Sequence, residues 1–338
     1  MTPRFQNLHK AEHGGKGSAL TNPAGEKSGA FLDFSANLNP CAPELDWKIP
    51  LENIRRYPDD DYPILKAVIA RHHNRSPEEI CVGNGSAEII RTLCHTLIRP
   101  GATVQISPHT FSEYALSARL AGGEVIHSTG AQAELSFFCN PDNPSGILMP
   151  RKDILEKLEL ISGFDGIFCV DEAFIDLADP NQSVADLKHP SLFVLRSLTK
   201  SFSMAGARFG YGIGSPALIA AMEVMRPPWT VNAFAEAMAI QAIECSDELE
   251  KSRQYIRTER ERIIRHCVEL GLTPSPATAN YILFDTGGSS TELTLKMQEQ
   301  LILIRDCTSF GLPSCVRVAV RRSEENDILM EAFTKCLR

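Results

Sequence analysis

The chain has 338 residues, of which 43% are hydrophobic and 22% are charged, and its formal net charge at pH 7 is -8. This composition excludes a disordered protein, because it supplies enough apolar side chains for a large core and a second domain. The negative charge argues against a general nucleic-acid surface, so any positive potential for an anionic ligand must come from a few local cations.

The N-terminus and the cysteines indicate the compartment. Residues 1–10 lack the apolar core of a secretory signal, and no apolar stretch of the sequence is long enough to cross a bilayer. The ten cysteines are scattered without a C-x-x-C pair, and several lie within apolar strand patterns. We therefore expect a cytoplasmic protein with buried thiols, without disulfides and without a metal site.

The predicted elements begin after an irregular stretch, rich in Gly, Asn and Pro, that extends to about Asn53. Seven apolar runs then predict β-strands at residues 80–82, 103–106, 124–126, 136–139, 167–170, 192–196 and 209–213. Because helical patterns separate most of them, we predict an α/β fold with a mostly parallel seven-stranded sheet and helices on both faces. The gap 197–208 is too short for a crossover helix, so the last strand is predicted to be antiparallel and to form an edge.

A glycine-rich turn follows the first predicted strand. Residues 83–88 read GNGSAE and open a helix whose apolar residues recur at helical spacing. The backbone N–H groups of Gly85, Ser86 and Ala87, together with the positive end of the helix dipole, can hold a phosphate group. A turn of this kind also occurs without a ligand.

Two further polar residues follow apolar strands. Asn143 lies in the turn 140–146 (NPDNPSG). Its side-chain amide is able to donate a hydrogen bond to a hydroxyl group on the ring of a bound cofactor, although a plain turn needs no such function. Asp171 ends a buried apolar strand, and a buried carboxylate needs a partner such as a protonated ring nitrogen. The alternative for Asp171 is a helix N-cap or a surface acid.

Lys200 lies in the run 197–211 (SLTKSFSMAGARFGY), among small hydroxyl residues and glycines. Its amine is suited to condense with the aldehyde of pyridoxal phosphate, while Ser197 and Arg208 bind the phosphate group of that cofactor. The alternative is a surface lysine between two strands. Ligands of such sheets collect beyond the carboxyl ends of the strands, and this is where the following residues fall: Gly85, Asn143, Asp171 and Lys200.

The last part of the chain, after the break at Pro227 and Pro228, predicts a smaller α+β domain. Helical patterns cover 232–244 and 246–270, and short strands are predicted near 281–284, 301–305 and 316–320. Arginines interrupt the apolar strand patterns, and Arg305 and Arg317 are the predicted ligands of substrate anions, since two buried cations are tolerable only beside a dianionic ligand. Arg321 either shares a face with Arg317 or forms the exposed end of the strand.

Five of these groups follow one another along the chain in an order that resembles the fold type I pyridoxal-phosphate enzymes of the aminotransferase class I/II superfamily: Gly85, Asn143, Asp171, Lys200 and Arg208. At finer grain the chain is similar to the family of threonine-phosphate decarboxylases of cobalamin biosynthesis, which are close relatives of the histidinol-phosphate aminotransferases. The resemblance covers nearly the whole chain and rests on residues 13–15, 33–40, 56–62, 171–176, 196–200, 228–232, 302–305 and 317–321. Of these, 13–15 and 228–232 favour the decarboxylases.

The resemblance implies roles for three aromatic residues. Phe111 is expected to stack on the cofactor ring, with Tyr114 as the second candidate, and helix packing is the alternative for both. Many aminotransferases carry a tyrosine where this chain has Phe174, and this departure favours decarboxylation. Lys200 and Asp171 are the implied catalytic residues.

The resemblance also implies that residues 1–53 form an arm over the active site, with a large cofactor-binding domain at 54–245 and a small domain at 246–338. From the arm, His13, Ser35 and Asn37 would complete the binding site for the substrate phosphate. Tyr57 would reach from a neighbouring subunit to the cofactor phosphate, which implies a homodimer. Otherwise His13 is a surface residue and Tyr57 a core residue.

The implied reaction is decarboxylation of L-threonine O-3-phosphate to (R)-1-amino-2-propanol O-2-phosphate, for the linker of the cobalamin nucleotide loop, with Lys200 as the candidate proton donor. The strongest alternative is a histidinol-phosphate aminotransferase, which uses the same cofactor ligands. Another is a decarboxylase of L-serine O-phosphate, since one methyl group contributes only about 1–3 kcal/mol of discrimination. A cofactor-binding regulatory or scaffold protein would need lost catalytic residues or a DNA-binding domain, and the sequence has neither.

Overall fold

The structure, a computed structural model, describes residues 8–15, 31–46, 48–127 and 132–338. The other parts of the predicted arm, at 1–7, 16–30 and 47, lie outside the described residues. Within the described arm, β1 (Leu32–Asp33) is the first strand.

A mixed seven-stranded sheet forms the centre of the molecule. Its strands, in chain order, are β2 (Ile80–Gly83), β3 (Thr103–Gln105), β4 (Glu124–Ile126), β5 (Leu135–Cys139), β6 (Ile167–Asp171), β7 (Leu192–Arg196) and β8 (Gly210–Ile213). They lie side by side in the order β2-β8-β7-β6-β5-β3-β4. The seven predicted strands and the mostly parallel α/β architecture are confirmed.

The position of β8 corrects one expectation. Its antiparallel direction is confirmed, but the prediction of an edge strand is wrong, because β8 pairs with β7 on one side and with β2 on the other. Its glycines permit this central position: a Cβ atom on Gly212 would lie 2.2 Å from the ring of Phe193, and one on Gly210 would lie 2.5 Å from the backbone nitrogen of Ser86. The short connection fixes only the pairing with β7 and leaves the other edge of β8 free for β2.

Helices cover both faces of this sheet. The helices of this part of the chain are α1 (Leu51–Arg55), which buries no residue, α2 (Pro63–His72), α3 (Ser86–Leu97), α4 (Ser112–Ala121), α5 (Arg151–Ser162), α6 (Leu198–Ser201), α7 (Pro216–Met225) and α8 (Ala233–Glu244). Because successive side chains of a strand point to opposite faces, Val170 and Val194 enter one buried cluster, whereas Cys169 and Phe193 enter the other. The central strands are therefore buried on both sides, which explains their continuous apolar runs.

The C-terminal part forms a second, smaller layer of helices and strands. It contains α9 (Leu249–Glu269), β9 (Thr273–Pro274), β10 (Tyr281–Asp285), α10 (Ser290–Glu299), β11 (Ile302–Leu303), β12 (Arg305–Asp306), β13 (Cys315–Ala319) and α11 (Ser323–Leu337). The antiparallel order β12-β13-β10-β9 confirms the predicted strands, except that the single strand expected at 301–305 is divided into β11 and β12. β11 pairs in parallel with β1, so the described arm joins this layer.

The division into an arm, a large domain and a small domain at residues 53 and 245 stays a prediction. α1 spans the first of these boundaries. Among the helices of the described residues, we find none with the length and apolar character that a membrane crossing requires.

Candidate active site

A cavity of about 650 Å3 lies at the carboxyl ends of β5, β6 and β7, between the central sheet, the arm and the C-terminal layer. It is lined by eight of the residues predicted to bind the cofactor, namely Ser86, Ala87, Phe111, Asn143, Asp171, Ser197, Lys200 and Arg208. It is also lined by all five residues predicted to bind substrate, namely His13, Ser35, Asn37, Arg305 and Arg317. The fold therefore brings together residues that are far apart in the sequence.

One wall of the cavity is the turn between β2 and α3. Gly85 precedes the first residue of α3 with a φ of 83°, a left-handed conformation that favours glycine. A Cβ atom at Gly85 would lie 2.6 Å from Nη2 of Arg208, so glycine alone leaves room for the guanidinium there. The N-terminal N–H groups of α3, the hydroxyl of Ser197 and Arg208 form a donor set that fits the phosphate of pyridoxal phosphate.

The buried carboxylate of Asp171 lies at the end of β6. Its Oδ2 accepts a hydrogen bond of 2.5 Å from the hydroxyl of Tyr114, and its Oδ1 accepts one of 3.0 Å from the backbone N–H of Ala173. Burial raises the pKa of Asp171 to about 6, and no cationic side chain within the described parts of the chain forms an ion pair with it. A protonated pyridine nitrogen would supply the missing positive charge.

The amine of Lys200, on α6, lies 5.9 Å from the centre of the Phe174 ring. Burial, followed by the positive charges of Arg317 and Arg208, lowers the pKa of this lysine to about 8. Roughly a tenth of the amine is therefore neutral at pH 7, and the neutral amine is the form that condenses with an aldehyde. Phe174 packs edge-on against Tyr281, with ring centres 4.9 Å apart, and offers no hydroxyl to the cavity.

Asn143 and Phe111 complete the part of the cavity that fits the cofactor. The Oδ1 atom of Asn143 accepts a hydrogen bond from Arg317, which leaves the amide N–H2 as the group available to donate. Phe111 directly precedes α4, and its ring meets the ring of Tyr114 edge-on at 5.5 Å. The ring of Tyr114 stacks instead on Phe137, at 4.7 Å and an angle of 7°.

Two arginines form the opposite wall. Arg305 and Arg317 are cross-strand partners in β12 and β13, and they are only 9% and 6% exposed. Arg305 donates to Ser309 Oγ (2.6 Å), and Arg317 donates to the carbonyl oxygen of Ser35 (3.1 Å). Burial is the main cause that lowers the pKa of Arg317, and the charge of Arg305 adds to it. This wall is suited to a ligand with two anionic groups.

The described arm lies against the same cavity. His13 Nε2 lies 3.1 Å from Oε1 of the buried Glu113, and the backbone N–H of Gly15 donates to Ser35 Oγ at 2.8 Å. The Oδ1 atom of Asn37 is buried without a hydrogen-bond partner among the described residues. An unpaired buried oxygen of this kind fits a polar ligand group at that position.

Arg321 lines the same cavity as Arg317 and lies two residues beyond the end of β13, with part of its side chain exposed. One nitrogen donates to the carbonyl oxygen of Asp33 at 2.9 Å, and the other forms an ion pair with Glu325 of α11. Its guanidinium therefore ties the arm to α11 at the rim of the cavity.

Tyr57 does not line the cavity of its own chain. Its side chain is 78% exposed, and its ring lies 4.6 Å from that of Trp229. The prediction that Tyr57 acts in a neighbouring subunit stays a prediction, and the alternative of a core residue is wrong.

Sequence reasoning missed three supporting contacts: the bond from Tyr114 to Asp171, the pair of Glu113 with His13, and the buried ion pair of Glu172 with Arg196. Glu172 accepts from Arg196 at 2.9 Å and joins β6 to β7 directly beside the candidate catalytic residues. A signal for this pair was present, since Glu172 follows Asp171 and Arg196 precedes Ser197. Nothing in the sequence pattern indicated the partners of Tyr114 and Glu113.

Known proteins resemble this chain in sequence and in fold. Residues 48–333 match the family described as aminotransferase class I and II. A threonine-phosphate decarboxylase from Salmonella typhimurium is 32% identical in an alignment of 359 positions, gaps included, that covers 98% of each chain. A histidinol-phosphate aminotransferase from Geobacillus sp. is 28% identical in an alignment of 335 positions that covers 91% of this chain and 90% of the relative. The crystal structure of histidinol-phosphate aminotransferase from Sinorhizobium meliloti in complex with pyridoxal-5'-phosphate has a similar fold, with a TM-score of 0.81, 24% identity and coverage of 90% and 89% of the two chains.

Proposed function

Since this chain belongs to the aminotransferase class I and II family, with the fold type I architecture and pyridoxal 5'-phosphate as cofactor, we propose that it decarboxylates L-threonine O-3-phosphate. The product is (R)-1-amino-2-propanol O-2-phosphate. The single observation that carries this proposal is the buried cross-strand pair of Arg305 and Arg317. L-Threonine O-3-phosphate carries a carboxylate and a phosphate on neighbouring carbon atoms, so one ligand neutralises both guanidinium groups. Histidinol phosphate carries one anionic group.

In this proposal the cofactor is held at three points. The α3 N-terminus, Ser197 and Arg208 would bind its phosphate, Asp171 would hold the proton on its ring nitrogen, and Asn143 would donate to its ring hydroxyl; all of these residues line the cavity. When bound, pyridoxal phosphate supplies an electron sink for the electron pair that remains when a bond to the substrate α carbon breaks. Side chains of the protein must then determine which bond to the α carbon breaks.

We infer that the two arginines select this bond by orienting the substrate. With its two anionic groups bound by Arg305 and Arg317, the substrate would be held in one orientation, and this orientation would select the bond to the α carbon that breaks. We propose that this is the bond to the carboxylate. Carbon dioxide leaves, its bonding electron pair stays at the α carbon, and the ammonium group of Lys200 donates a proton to that carbon.

The surroundings of Lys200 support the same assignment. Phe174 presents only a hydrocarbon ring at 5.9 Å from the amine, so no phenol at this position competes for the proton. The pKa of Lys200, lowered to about 8 by burial and by Arg317 and Arg208, allows the amine to gain and lose a proton near neutral pH.

The second candidate is a histidinol-phosphate aminotransferase. The relatives include enzymes with that name over nearly the full chain length. The arginine pair would in that case hold the two carboxylates of a glutamate co-substrate. L-Serine O-phosphate, which lacks one methyl group of the threonine compound, is a third substrate that the same charges would accept.

We further propose that the working enzyme is a homodimer, with Tyr57 crossing to the partner's cofactor. The segments that contain Tyr57 and Trp229 also contain other exposed apolar side chains, namely Leu51, Ile54, Ile64, Val224, Met225 and Phe234. Exposed apolar side chains that form one patch are typical of a subunit interface. The cytoplasmic location stays a prediction.

To test this proposal, the cofactor-loaded protein is incubated with L-threonine O-3-phosphate without any keto acid, and formation of the phosphorylated amine product is measured. L-Serine O-phosphate is tested in parallel, as is histidinol phosphate with 2-oxoglutarate. Amine formation from the threonine compound supports the proposal. Glutamate formation from 2-oxoglutarate with histidinol phosphate as the amino donor, without amine from the threonine compound, would replace it with the aminotransferase.

A further inference from the structure

We propose that Tyr114 is a positioning residue that keeps Asp171 charged and aimed at the ring nitrogen of the cofactor. Asp171 itself is part of the predicted catalytic set, whereas Tyr114 acts on the cofactor only through Asp171. The inference depends on the cofactor and holds for a decarboxylase and for an aminotransferase alike.

The position of Tyr114 is fixed by packing on two sides. Its side chain is fully buried in the first turn of α4, with its ring stacked on Phe137 at 4.7 Å and the ring of Phe111 edge-on at 5.5 Å. A ring held in this way has little rotational freedom, so its hydroxyl is directed at one place. That place is Oδ2 of Asp171, 2.5 Å away.

The charge of Asp171 depends on this bond. Its carboxylate accepts one hydrogen bond on each oxygen, from Tyr114 and from the backbone of Ala173. Burial already raises the pKa of Asp171 to about 6, so the charged form is maintained against a large desolvation cost. Removal of the Tyr114 hydroxyl would leave Oδ2 without its donor and would raise the pKa of Asp171 further.

The hydroxyl of Tyr114 acts as a donor at all ordinary pH values, because burial, followed by the charge of Asp171, raises the pKa of the phenol well above its usual range. The other titratable groups that face Asp171 from the packed elements are Cys139, Cys169, Glu172 and Tyr281. Burial raises the pKa values of the two thiols and of the Tyr281 phenol, so these groups stay neutral at pH 7. Glu172 is neutralised by its ion pair with Arg196.

This arrangement makes α4 a support for two features of the cofactor site. Phe111, immediately before α4, lies where the ring face of the cofactor is predicted, and Tyr114, three residues later, controls the partner of the ring nitrogen. Their rings are in edge-on contact. The orientation of the cofactor and the charge opposite its nitrogen are therefore set by the same helical turn.

The test is the Tyr114→Phe variant, which removes one oxygen and keeps the ring. The matched control is Tyr62→Phe, because Tyr62 is also fully buried and, among the residues that the structure describes, its hydroxyl bonds only to the backbone of Val231. For each protein, the dissociation constant of pyridoxal phosphate and the pH dependence of the absorption spectrum of the bound cofactor are measured. We expect Tyr114→Phe to weaken cofactor binding about ten- to a hundredfold, as for the loss of a hydrogen bond to a charged group.

The spectral titration gives the second readout. In Tyr114→Phe the pH-dependent change in the spectrum of the bound cofactor should shift from its wild-type position, whereas Tyr62→Phe should titrate like the wild type. A folded Tyr114→Phe protein with the dissociation constant and titration of the wild type would overturn the proposal.

If Tyr114→Phe fails to fold, the wild-type protein labelled with 13C-tyrosine is titrated by NMR in its cofactor-free form. One of the six tyrosine signals should follow the protonation of Asp171 and should lose this titration in Asp171→Asn. The absence of any such signal would equally overturn the proposal.

Discussion

Arg305 and Arg317 lie directly opposite each other across β12 and β13, with both side chains largely buried beside the same cavity. Like charges in direct cross-strand positions destabilise a sheet. Their partners are neutral acceptors, apart from the carboxylate of Glu12 at 3.9 Å from Arg305. The fold thus maintains two buried cations whose charge an anionic ligand neutralises.

The first prediction concerns this pair. Arg317→Gln and Arg305→Gln should each lower kcat/KM for L-threonine O-3-phosphate by at least tenfold, because each removes a charged donor from a substrate anion. Steady-state kinetics measures the effect, and Arg265→Gln, at an exposed position of α9, is the matched control. A kcat/KM for Arg317→Gln equal to that of the control would show that this wall does not bind substrate.

The second prediction concerns Glu113, which pairs with His13 at 3.1 Å. Glu113→Gln removes the charge that holds His13 against the cavity, so KM should rise severalfold while kcat stays within about twofold of the wild type. Glu156→Gln, at an exposed position of α5, controls for the loss of one carboxylate. An equal fall of kcat and kcat/KM, with KM unchanged, would contradict this assignment.

The third prediction follows from the pKa of Lys200, which burial, Arg317 and Arg208 lower from 10.5 to about 8. Only the neutral amine condenses with the aldehyde, so the rate of cofactor incorporation into the cofactor-free protein should rise with pH and level off above about pH 8. In Arg317→Gln, which removes one of the nearby positive charges, the midpoint should move to higher pH. Absorbance after rapid mixing measures the rate for both proteins across pH. Equal midpoints for the wild type and Arg317→Gln would contradict this prediction.

The fourth prediction tests the shared site. Tyr57→Phe and Lys200→Ala should each have low activity, the first through weaker cofactor binding. If Tyr57 serves the neighbouring subunit, a hybrid dimer contains one site with both residues intact, so mixed and re-assembled variants should regain activity. Activity measurements together with light scattering check this. A monomer of 37.2 kDa, or a mixture no more active than its components, would refute the shared site.

Much of the candidate site could be predicted because its residues carry local signals. Asp171 ends an apolar strand, Gly85 opens a helix, and Lys200 lies in a connection between strands that is too short for a crossover helix. All three therefore lie at the carboxyl edge of the sheet. The central place of β8 was missed because pairing with β2 depends on close packing at Gly212, which no local pattern expresses.

The supporting contacts were missed for a related reason. Tyr114 and Asp171 are separated by 57 residues, and Glu113 and His13 by 100. A tyrosine and a glutamate on an amphipathic helix have many possible partners, and only the tertiary packing of α4 on the sheet selects among them. Arg321 was left with two interpretations because its backbone position does not reveal its bonds to Asp33 and Glu325.

The central claim is that the chain breaks the bond to the substrate carboxylate, and isotope labelling tests it most directly. L-Threonine O-3-phosphate labelled with 13C in its carboxyl group is incubated with the cofactor-loaded protein without a keto acid, and labelled carbon dioxide is counted against substrate consumed. The account predicts one labelled carbon dioxide for each substrate molecule over many turnovers. Turnover that requires a keto acid and retains the label in the product would contradict it.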